Sequence, residues 1–254
     1  MCALAGNTAT SELTVGVEPF ASTSVISRII NEQVNKALHA NGAPTIKYLG
    51  SRDIAEFKTQ VAKQDFSLFY GHPGYASYLS ERYGFIPIIA LVFDVPAVII
   101  TSKNNPASFR QNTTAYTMED HDIYTYLGKK LIKDKKRVSF VKTKRLESVI
   151  SGVFSTPQSV GLIAKSDLNL MIPAAREQVK VINESERVKY SYLMVNPKRV
   201  SNTQLLIKNL MDAHSALAND KSSYFYGVMP EQVTESHIQY AQQYTTFQAI
   251  FDQY

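Results

Sequence analysis

The sequence predicts an α/β protein built from two similar units. Short runs of apolar, β-forming residues alternate along the chain with segments in which apolar residues recur at helical spacing. This alternation starts at Leu13 and begins again near Thr113 in the same style. The 254 residues also suit two lobes of about 100–150 residues better than one domain of ordinary size.

The first unit opens with an apolar strand at Leu13–Val17. Ser22 or Thr23 is predicted to cap the helix that follows, because hydroxyl side chains satisfy free N–H groups at a helix start. Apolar residues keep helical spacing from there until about Asn41, where Asn-Gly predicts the helix end.

The next elements repeat this strand-then-helix order. A second strand is predicted at Thr45–Leu49, and Asp53 is predicted to cap a helix that runs through Val61. A buried strand then ends at Tyr70, a helix runs through Tyr83, and a further buried strand follows.

The turn Gly71-His72-Pro73-Gly74 is the most informative local feature. It lies at the carboxyl end of a strand and the amino end of a helix, where open α/β sheets place their ligands. Tyr70, His72 and Tyr75 would give this crevice polar groups on flat apolar bodies, and we predict that they bind ligand. The alternative is an ordinary turn with aromatic packing.

The remaining elements define the second unit and the return to the first. Strands are predicted at Ala97–Thr101, Thr114–Thr117, Val138–Val141, Ser159–Ala164, Val179–Ile182 and Tyr190–Val195. Helices are predicted at Ile123–Ile132 and Leu146–Phe154 and over most of residues 203–254. The chain is therefore expected to cross between lobes near Phe93–Pro96 and Glu184–Lys189. Residues 12–94 and 188–254 would form lobe 1, and residues 95–187 would form lobe 2.

Composition narrows the classes of partner. The net charge of +5 and pI near 9.1 permit anionic partners, but the sequence shows no basic helix or aromatic-basic platform typical of nucleic-acid binding. The run Lys129, Lys130, Lys133, Lys135, Lys136 and Arg137 is predicted to be a solvated helix face and loop. No stretch approaches the roughly 18 apolar residues of a membrane-spanning helix.

The amino terminus indicates export. Ala3-Leu4-Ala5 is a small-residue pattern that signal peptidases accept, so residues 1–11 are interpreted as a signal-peptide remnant or a flexible leader. Alternatively, Cys2 carries the lipid of a lipoprotein that is anchored in the membrane. An ordinary cytosolic start is the remaining reading. One cysteine excludes an internal disulfide framework.

Five parts of the chain follow one another in a recognisable order. They are LTVGVEPF, FKTQVAKQDFSLFYGHPGYASY, the strand–turn–helix at Thr114–Leu131, RLESVISGVFSTPQSVGLIAKSDL and YSYLMVNP. In this order the chain resembles the phosphate-, phosphite- and phosphonate-type periplasmic solute-binding proteins of ABC transporters. The resemblance extends from about Leu13 to Tyr226.

This resemblance implies the two-lobed type II periplasmic-binding-protein fold. Each lobe would be a mixed, mostly parallel sheet flanked by helices, with the ligand cleft between the lobes. The implied function is capture of a small molecule, such as a phosphonate- or phosphate-like oxyanion, by hinge closure and its delivery to an ABC permease. The alternative is a ligand-sensing periplasmic domain that signals to a membrane receptor. We expect a periplasmic or exported monomer.

The resemblance breaks at the turn before the predicted helix Ile123–Ile132. Where the family has a run of Ser and Thr, this chain has Met118-Glu119-Asp120-His121-Asp122. Carboxylates would repel an oxyanion, so an amine-bearing or zwitterionic solute fits this turn better. Glu119 and Asp120 could instead merely cap the helix and face solvent. The predicted ligand-binding residues of this region are Thr117, His121, Asp122, Tyr124 and Thr125.

Further candidates follow other strand ends. Glu18 ends the first strand, and Ser22 and Thr23 could hold an anionic group at the next helix start instead of only capping it. Arg145 could form a forked pair with a carboxylate or phosphate, or it continues the solvated basic run. Lys165 ends the strand SVGLIA, where the family often has a cleft residue.

Enzyme readings find no support in the motifs. The sequence lacks G-x-S-x-G, a phosphate-binding loop and H-E-x-x-H. Ser139-Phe140-Val141-Lys142 matches S-x-x-K without any companion motif. The five histidines have no ligand spacing. We therefore predict no catalytic residue, no cofactor, no metal and no nucleic-acid partner.

Overall fold

The computed structural model describes residues 13–19, 23–104, 106–107, 112–133 and 135–253, apart from the side chains of residues 23–25, 135 and 170. Within these ranges the chain divides into two compact units. Unit 1 takes its described residues from Met1–Gly71, Tyr75–Leu91 and Tyr192–Tyr240, and unit 2 from His72–Gly74, Val92–Ser191 and Ala241–Tyr254.

The described strands and helices alternate through most of the chain. The strands are β1 (Leu13–Val17), β2 (Ile46–Tyr48), β3 (Leu68–Gly71), β4 (Ile86–Ser102), β5 (Thr113–Thr117), β6 (Val138–Lys142), β7 (Ser159–Ala164), β8 (Val179–Val195) and β9 (Pro230–Gln232). The α-helices are α1 (Thr23–Ile29), α2 (Asn35–Ala40), α3 (Ile54–Ala62), α4 (Pro73–Tyr83), α5 (Ile123–Leu131), α6 (Leu146–Ser155), α7 (Pro173–Glu177), α8 (Thr203–Asn219), α9 (Glu235–Gln242) and α10 (Phe247–Phe251). A π-helical turn spans Ile30–Val34, and 3₁₀ turns span Lys135–Arg137 and Lys165–Leu170.

The strands of unit 1 form a mixed arrangement. β1 pairs in parallel with both β2 and β3, and β3 pairs antiparallel with residues 192–195 of β8. Residues 89–91 of β4 pair antiparallel with β9. Parallel neighbours need a crossover, and the helices between β1, β2 and β3 supply it.

An aromatic cluster forms part of the core of unit 1. Phe57, Phe66, Phe69 and Tyr75 are all fully buried. The ring centroids of Phe57 and Tyr75 are 5.3 Å apart in an edge-to-face arrangement, and those of Phe69 and Tyr75 are 5.5 Å apart. Such pairs stabilise beyond their buried area by about 0.5–1.5 kcal/mol each.

The sheet of unit 2 is also mixed and mostly parallel. β5 pairs in parallel with β6 on one side and with β7 on the other. β7 pairs antiparallel with residues 97–100 of β4. The ends of β5 and β7 in this sheet position the polar groups of the candidate functional site.

Both faces of this sheet are buried. On one face, Val98 and Ile100 of β4 pack with Val149 and Val153 of α6. On the opposite face, Ile99 packs with Ala115 of β5, with Ile132 just after α5, and with Val160 and Leu162 of β7. Alternate residues of one strand thus serve two cores, which explains the continuous apolar sequences of β4 and β7.

Most predicted elements are present, with several differences. The strand predicted at Ala97–Thr101 is the second half of the 17-residue β4, and the strands predicted at Val179–Ile182 and Tyr190–Val195 are parts of the 17-residue β8. The helix predicted from residue 22 or 23 to about 41 contains the π-helical turn. The carboxy-terminal region predicted as mostly helical contains β9.

Pro96 precedes the strand that was predicted to begin at Ala97, but no strand begins there. It lies inside β4 and is buried. Two residues before it, Asp94 has a φ of 49°, which is the left-handed region that a non-glycine residue adopts rarely and at some cost. The carboxylate of Asp94 forms an ion pair with Arg187 of β8 inside unit 2. A local irregularity therefore replaces the predicted strand start.

The units divide the chain somewhat differently from the predicted lobes. The chain passes between units within β4, after Leu91, and within β8, after Ser191. Residues 241–254, which the sequence placed in lobe 1, belong to unit 2, as do residues 72–74. In the described part of the chain, no helix is both long and apolar enough to cross a membrane.

Candidate functional site

Two neighbouring parallel strands of unit 2 end beside each other. β5 ends at Thr117 and β7 ends at Ala164, and the two strands pair in register from Thr114 with Ser159. The chain continues from β5 into the turn before α5 and from β7 into a 3₁₀ turn. Side chains that follow these two strand ends therefore meet at one edge of the sheet, where α/β folds commonly place ligands.

Asp122 is the N-cap of α5. Its extended backbone (φ −77°, ψ 127°) places the carboxylate over the first helical turn, where Oδ2 accepts a hydrogen bond of 2.7 Å from the N–H of Thr125. The side chain is buried, and burial raises the pKa of Asp122 to about 6, although hydrogen bonds from Thr125 and the main chain of Tyr124 favour the charged form. The helix cap is thus Asp122 and not Glu119 or Asp120.

Asp167 is a second carboxylate at this edge that sequence reasoning missed. It follows β7 by three residues, and its Oδ2 accepts a hydrogen bond of 3.0 Å from the N–H of Ala164. Burial, together with the negative charge of Asp122, raises the pKa of Asp167 to about 7. The available signal was positional, because an acidic residue shortly after the strand SVGLIA matches the position of Asp122 after β5.

His72 and His121 bring imidazoles to the same unit. The Nδ1 atom of His72 accepts a hydrogen bond of 3.0 Å from the N–H of Gly74, so its Nε2 carries the proton and donates to the main-chain oxygen of His121 at 2.9 Å. Burial lowers the pKa of His72 to about 3 and that of His121 to about 4. Both rings are therefore neutral at physiological pH.

Aromatic rings from the end of the chain pack on this histidine. The ring of Phe247 lies 4.9 Å from that of His72 and 4.6 Å from that of Tyr126, centroid to centroid. The hydroxyl groups of Tyr126 and Thr246 lie 2.7 Å apart and form a hydrogen bond. Phe247 is fully buried, so it fixes the apolar side of His72 within unit 2.

Asp120 differs from the sequence expectation of an uncompensated acidic turn. Its two carboxylate oxygens form ion pairs with Lys129 of α5 and Lys142 of β6. Partial burial alone would raise the pKa of Asp120, but the hydrogen bonds from both ammonium groups lower it below its ordinary value. The charge of Asp120 is therefore compensated by two lysines, whereas Asp122 and Asp167 lie buried beyond the two strand ends without such ion pairs among the described residues.

The hydroxyl candidates of this turn are used locally. Thr117 is fully buried, and its hydroxyl donates to the main-chain oxygen of Met118 at 2.8 Å. Thr125 is also fully buried, and its hydroxyl makes no hydrogen bond of normal geometry to any described group, although it lies close to the Asp122 carboxylate. Tyr124 is half-buried on the same turn.

Arg145 and Lys165 are exposed residues of unit 2. Arg145 precedes α6, and its main-chain oxygen accepts a hydrogen bond from the hydroxyl of Thr143. The ammonium of Lys165 forms a 2.7 Å ion pair with Glu184 of β8. Both positions follow strand ends of the sheet, as the sequence predicted, and their binding roles stay predictions.

The candidates of unit 1 lie at the ends of two other parallel strands. Glu18 follows β1 and is buried, and Tyr70 of β3, which is half-buried, pairs in register with Val17. Tyr75 belongs to the buried aromatic cluster with Phe57 and Phe69, so its ring is part of the core of unit 1. This location matches the alternative of aromatic packing.

Several sequence predictions fall outside the described residues. Ser22 and Cys2 lie there, and the side chain of Thr23 does too, although its backbone begins α1. Across the described ranges, no three His, Cys, Asp or Glu side chains form a group that could hold a metal ion.

The sequence matches no described protein family and no curated protein sequence. Its structure is similar to solved structures of binding proteins. These include the binding component PA3383 of a phosphonate ABC transporter from Pseudomonas aeruginosa (TM-score 0.72, 13% identity, 94% of this chain and 87% of that chain covered). They also include PhnD1 from Prochlorococcus marinus in complex with methylphosphonate (0.69, 12%, 93% and 98%) and XAC2383 from Xanthomonas citri bound to ATP (0.68, 13%, 96% and 99%).

Identities this low bear on the fold alone, but the coverage is nearly complete on both sides. TM-scores of 0.68–0.72 over this coverage show that the fold is shared. The sequence prediction of the fold is confirmed. This chain has the two-lobed α/β fold of the type II periplasmic binding proteins.

Proposed function

We propose that this chain is an exported solute-binding protein that captures a small molecule and delivers it to the permease of an ABC transporter. In this proposal both units contact the solute, and binding favours closure because only the closed state offers both sets of contacts. One observation carries the proposal. On a binding-protein fold, buried polar groups gather at the strand-end edge of unit 2, with Asp122 and Asp167 as acceptors.

The geometry of Asp122 favours one class of solute. An oxyanion bound at a helix start needs the free N–H groups of the first turn. Here the Asp122 carboxylate already accepts from the N–H of Thr125 and occupies the position that an oxyanion would use. We therefore propose a solute whose head group is a protonated amine or another hydrogen-bond donor. Thr117, His121, Asp122, Tyr124 and Thr125 belong to the proposed site, together with Asp167.

Two of the structurally similar proteins support an anionic solute instead of an amine. PhnD1 holds methylphosphonate and XAC2383 holds ATP, and both ligands carry phosphorus oxyanions. In this chain Lys129 and Lys142 lie beside the same turn, although both are paired with Asp120. Methylphosphonate, phosphate and ATP are therefore the anions against which amines should be compared.

A thermal-shift panel of the purified chain tests both statements. The panel contains arginine, polyamines and choline-like cations on one side, and methylphosphonate, phosphate, ATP and alkyl sulfonates on the other. A ligand at 100 times its Kd adds about 2.7 kcal/mol to the free energy of unfolding, which raises the Tm visibly. We expect a shift with an amine and none with the anions.

The variant Asp122→Ser sharpens the assignment. Serine also caps helices well, so α5 should keep its start while the site loses one negative charge. The amine-dependent shift should disappear, whereas Glu177→Gln, an exposed charge removal in the same unit, should leave it unchanged. A shift with methylphosphonate would overturn the amine assignment but support solute binding. No shift with any compound would count against solute binding itself.

Delivery and export need separate measurements. A permease and an ATPase encoded beside this chain would support transport, and a histidine kinase or cyclase there would support the sensory alternative. Mass spectrometry of the mature chain would show whether Cys2 carries lipid or is removed. Recovery from the cytoplasm alone would contradict export.

A further inference from the structure

Positive charge is concentrated in one short part of unit 2. Residues 129–145 contain seven lysines and two arginines against one aspartate, whereas the entire chain has a net charge of +5. The rest of the chain is therefore net acidic. The difference in net charge between this segment and the rest of the chain is larger than the pI near 9.1 of the entire chain suggests.

The structure places these cations on exposed parts of consecutive elements. The segment runs from the last turn of α5 through the 3₁₀ turn and β6 to the loop before α6. The exposed cations with described side chains are Lys130, Lys133, Lys136, Arg137, Lys142, Lys144 and Arg145. We call these seven residues the basic surface.

Contacts within unit 2 fold the two ends of the segment together. The Asp120 carboxylate contacts both Lys129 at the end of α5 and Lys142 at the end of β6. The ammonium of Lys129 also lies 4.8 Å from the centre of the Phe140 ring. The cations are thus held on one region rather than spread along an extended chain.

The outer strand of the sheet in unit 2, β6, forms part of this region. β6 stands at the end of the strand order in unit 2, and among the described residues it pairs with β5 alone. Ser139 and Val141 of β6 are exposed, and 39% of Val141 is accessible. Lysines beside an unpaired strand edge discourage pairing with another strand, which argues against a strand-adding protein partner.

The chemistry of the surface favours a lipid bilayer over other anionic partners. Most of the cations in the segment are lysines, which act as hydrated point charges, whereas forked recognition of single phosphates and hot spots between proteins favour arginine. Phe140 is half-buried beneath Lys129, so it offers no free ring face for stacking a base. Clusters of four to eight lysines and arginines on amphipathic helices or beside membrane-spanning helices bind anionic lipid headgroups, and the seven residues of the basic surface match that number.

We propose that the basic surface binds the anionic headgroups of a lipid bilayer and orients unit 2 toward it. The rest of the chain is net acidic, so it adds no net attraction to the same bilayer, and the basic surface of unit 2 is the part that the bilayer attracts. Each cation near an anionic bilayer strengthens binding about five-fold, and salt weakens the attraction because the Debye length is only about 10 Å at 0.1 M.

Co-sedimentation with vesicles tests this proposal. The full chain is mixed with vesicles of phosphatidylcholine, or of phosphatidylcholine with phosphatidylglycerol, at low and at high salt. We expect binding only to the phosphatidylglycerol vesicles, and only at low salt. The variant Lys130→Glu, Lys133→Glu, Lys144→Glu should lower the partition coefficient by at least about 100-fold.

A matched control keeps the net charge equal. Lys63→Glu, Lys198→Glu, Lys208→Glu makes the same change of charge at three exposed positions of unit 1 and should retain most of the binding. If the reversed variant does not fold, replacement of the same three lysines by Gln gives the measurement. Equal loss in both triple variants, or binding to duplex DNA or polyglutamate but not to vesicles, would overturn the proposal.

Discussion

The imidazole of His72 donates a hydrogen bond from Nε2 to the main-chain oxygen of His121, 2.9 Å away. This bond ties the residue before α4 to the turn before α5, both within unit 2. The N–H of Gly74 occupies the other ring nitrogen, so the tautomer is set by the backbone on both sides. His72 therefore holds the turn that carries Asp122, in addition to any contact with a solute.

Replacement of His72 by Ala should destabilise the free protein. It removes a buried hydrogen bond, leaves the His121 carbonyl without this donor, and opens space beside Phe247. We expect a loss of about 2–4 kcal/mol in the free energy of unfolding, measured by urea denaturation. The exposed His39→Ala is the control, and equal stability of both variants would show that His72 is not part of the core.

Asp167 should make stability fall as the pH rises. Its pKa is about 7 in the folded chain, because of burial and the charge of Asp122, against about 4 in an unfolded chain. Between these values the folded state binds more protons, so stability is lost as pH increases from about 4 to about 7. Asp167→Asn keeps an acceptor for the N–H of Ala164 and should gain stability relative to the original chain across this range.

Urea denaturation at several pH values checks this expectation. Glu177→Gln, an exposed charge removal in unit 2, is the matched control. If the gain of Asp167→Asn over the original chain did not grow with pH relative to that control, the raised pKa of Asp167 would be contradicted.

Asp120→Asn should weaken unit 2 modestly and in a salt-dependent way. The substitution removes the ion pairs with Lys129 and Lys142, which are only partly buried, so we expect a loss of about 1 kcal/mol at low salt. The loss should shrink at high salt. It should also shrink as the pH falls through the lowered pKa of Asp120, where the original carboxylate loses its charge.

The variant Asp120→Asn also tests the contribution of positive charge to vesicle binding by the basic surface. Removal of the Asp120 charge takes a carboxylate away from Lys129 and from Lys142, which belongs to the basic surface, so binding to phosphatidylglycerol vesicles should become stronger. Unchanged stability at every salt concentration would show that the two ion pairs contribute nothing. Weaker vesicle binding would contradict the charge argument.

Gly152→Ala should be destabilising although it lies inside α6. A Cβ at this position would approach the ring of Tyr116 to 2.5 Å, and the Tyr116 hydroxyl is fixed by a 2.7 Å hydrogen bond to Thr156. Helix propensity alone predicts a gain of about 1 kcal/mol, whereas overpacking predicts a loss of about 1–3 kcal/mol. Thermal unfolding of Gly152→Ala and of the exposed control Ser151→Ala shows whether the substitution raises or lowers the Tm. A higher Tm for Gly152→Ala would mean that the Tyr116 ring moves aside without cost.

The sequence predicted an element correctly where a single local pattern, such as an apolar strand or a helix cap, was present. β1 at Leu13–Val17, β7 at Ser159–Ala164 and the Asp53 cap of α3 agree with the sequence analysis. The separate strand predicted from Ala97 is instead the second half of β4, which continues through Pro96 and the left-handed Asp94, although proline is uncommon inside strands. The π-helical turn at Ile30–Val34 has no sequence signal that periodicity could detect.

The candidate site was predictable only where a strand end marked it. Asp122 and His121 stood out because they replace hydroxyl residues in a recognisable turn. The compensation of Asp120 by Lys129 and Lys142 depends on contacts between separate elements, so neither lysine carried a local signal. Tyr75 carried the signal of a polar-tipped ring beside a turn, and it packs in the aromatic cluster of unit 1, so its binding role stays a prediction.

The packing of Phe247 on His72 also determines how late in synthesis unit 2 can complete its folding. Unit 2 is assembled from three separated parts of the chain, and a buried ring from the last of them covers a side chain near the first. During translation, residues 92–191 emerge long before Phe247 does. The ring of His72 can therefore be covered only after Phe247 has been synthesised, and a nascent chain halted before residue 247 would present an incomplete second unit to chaperones.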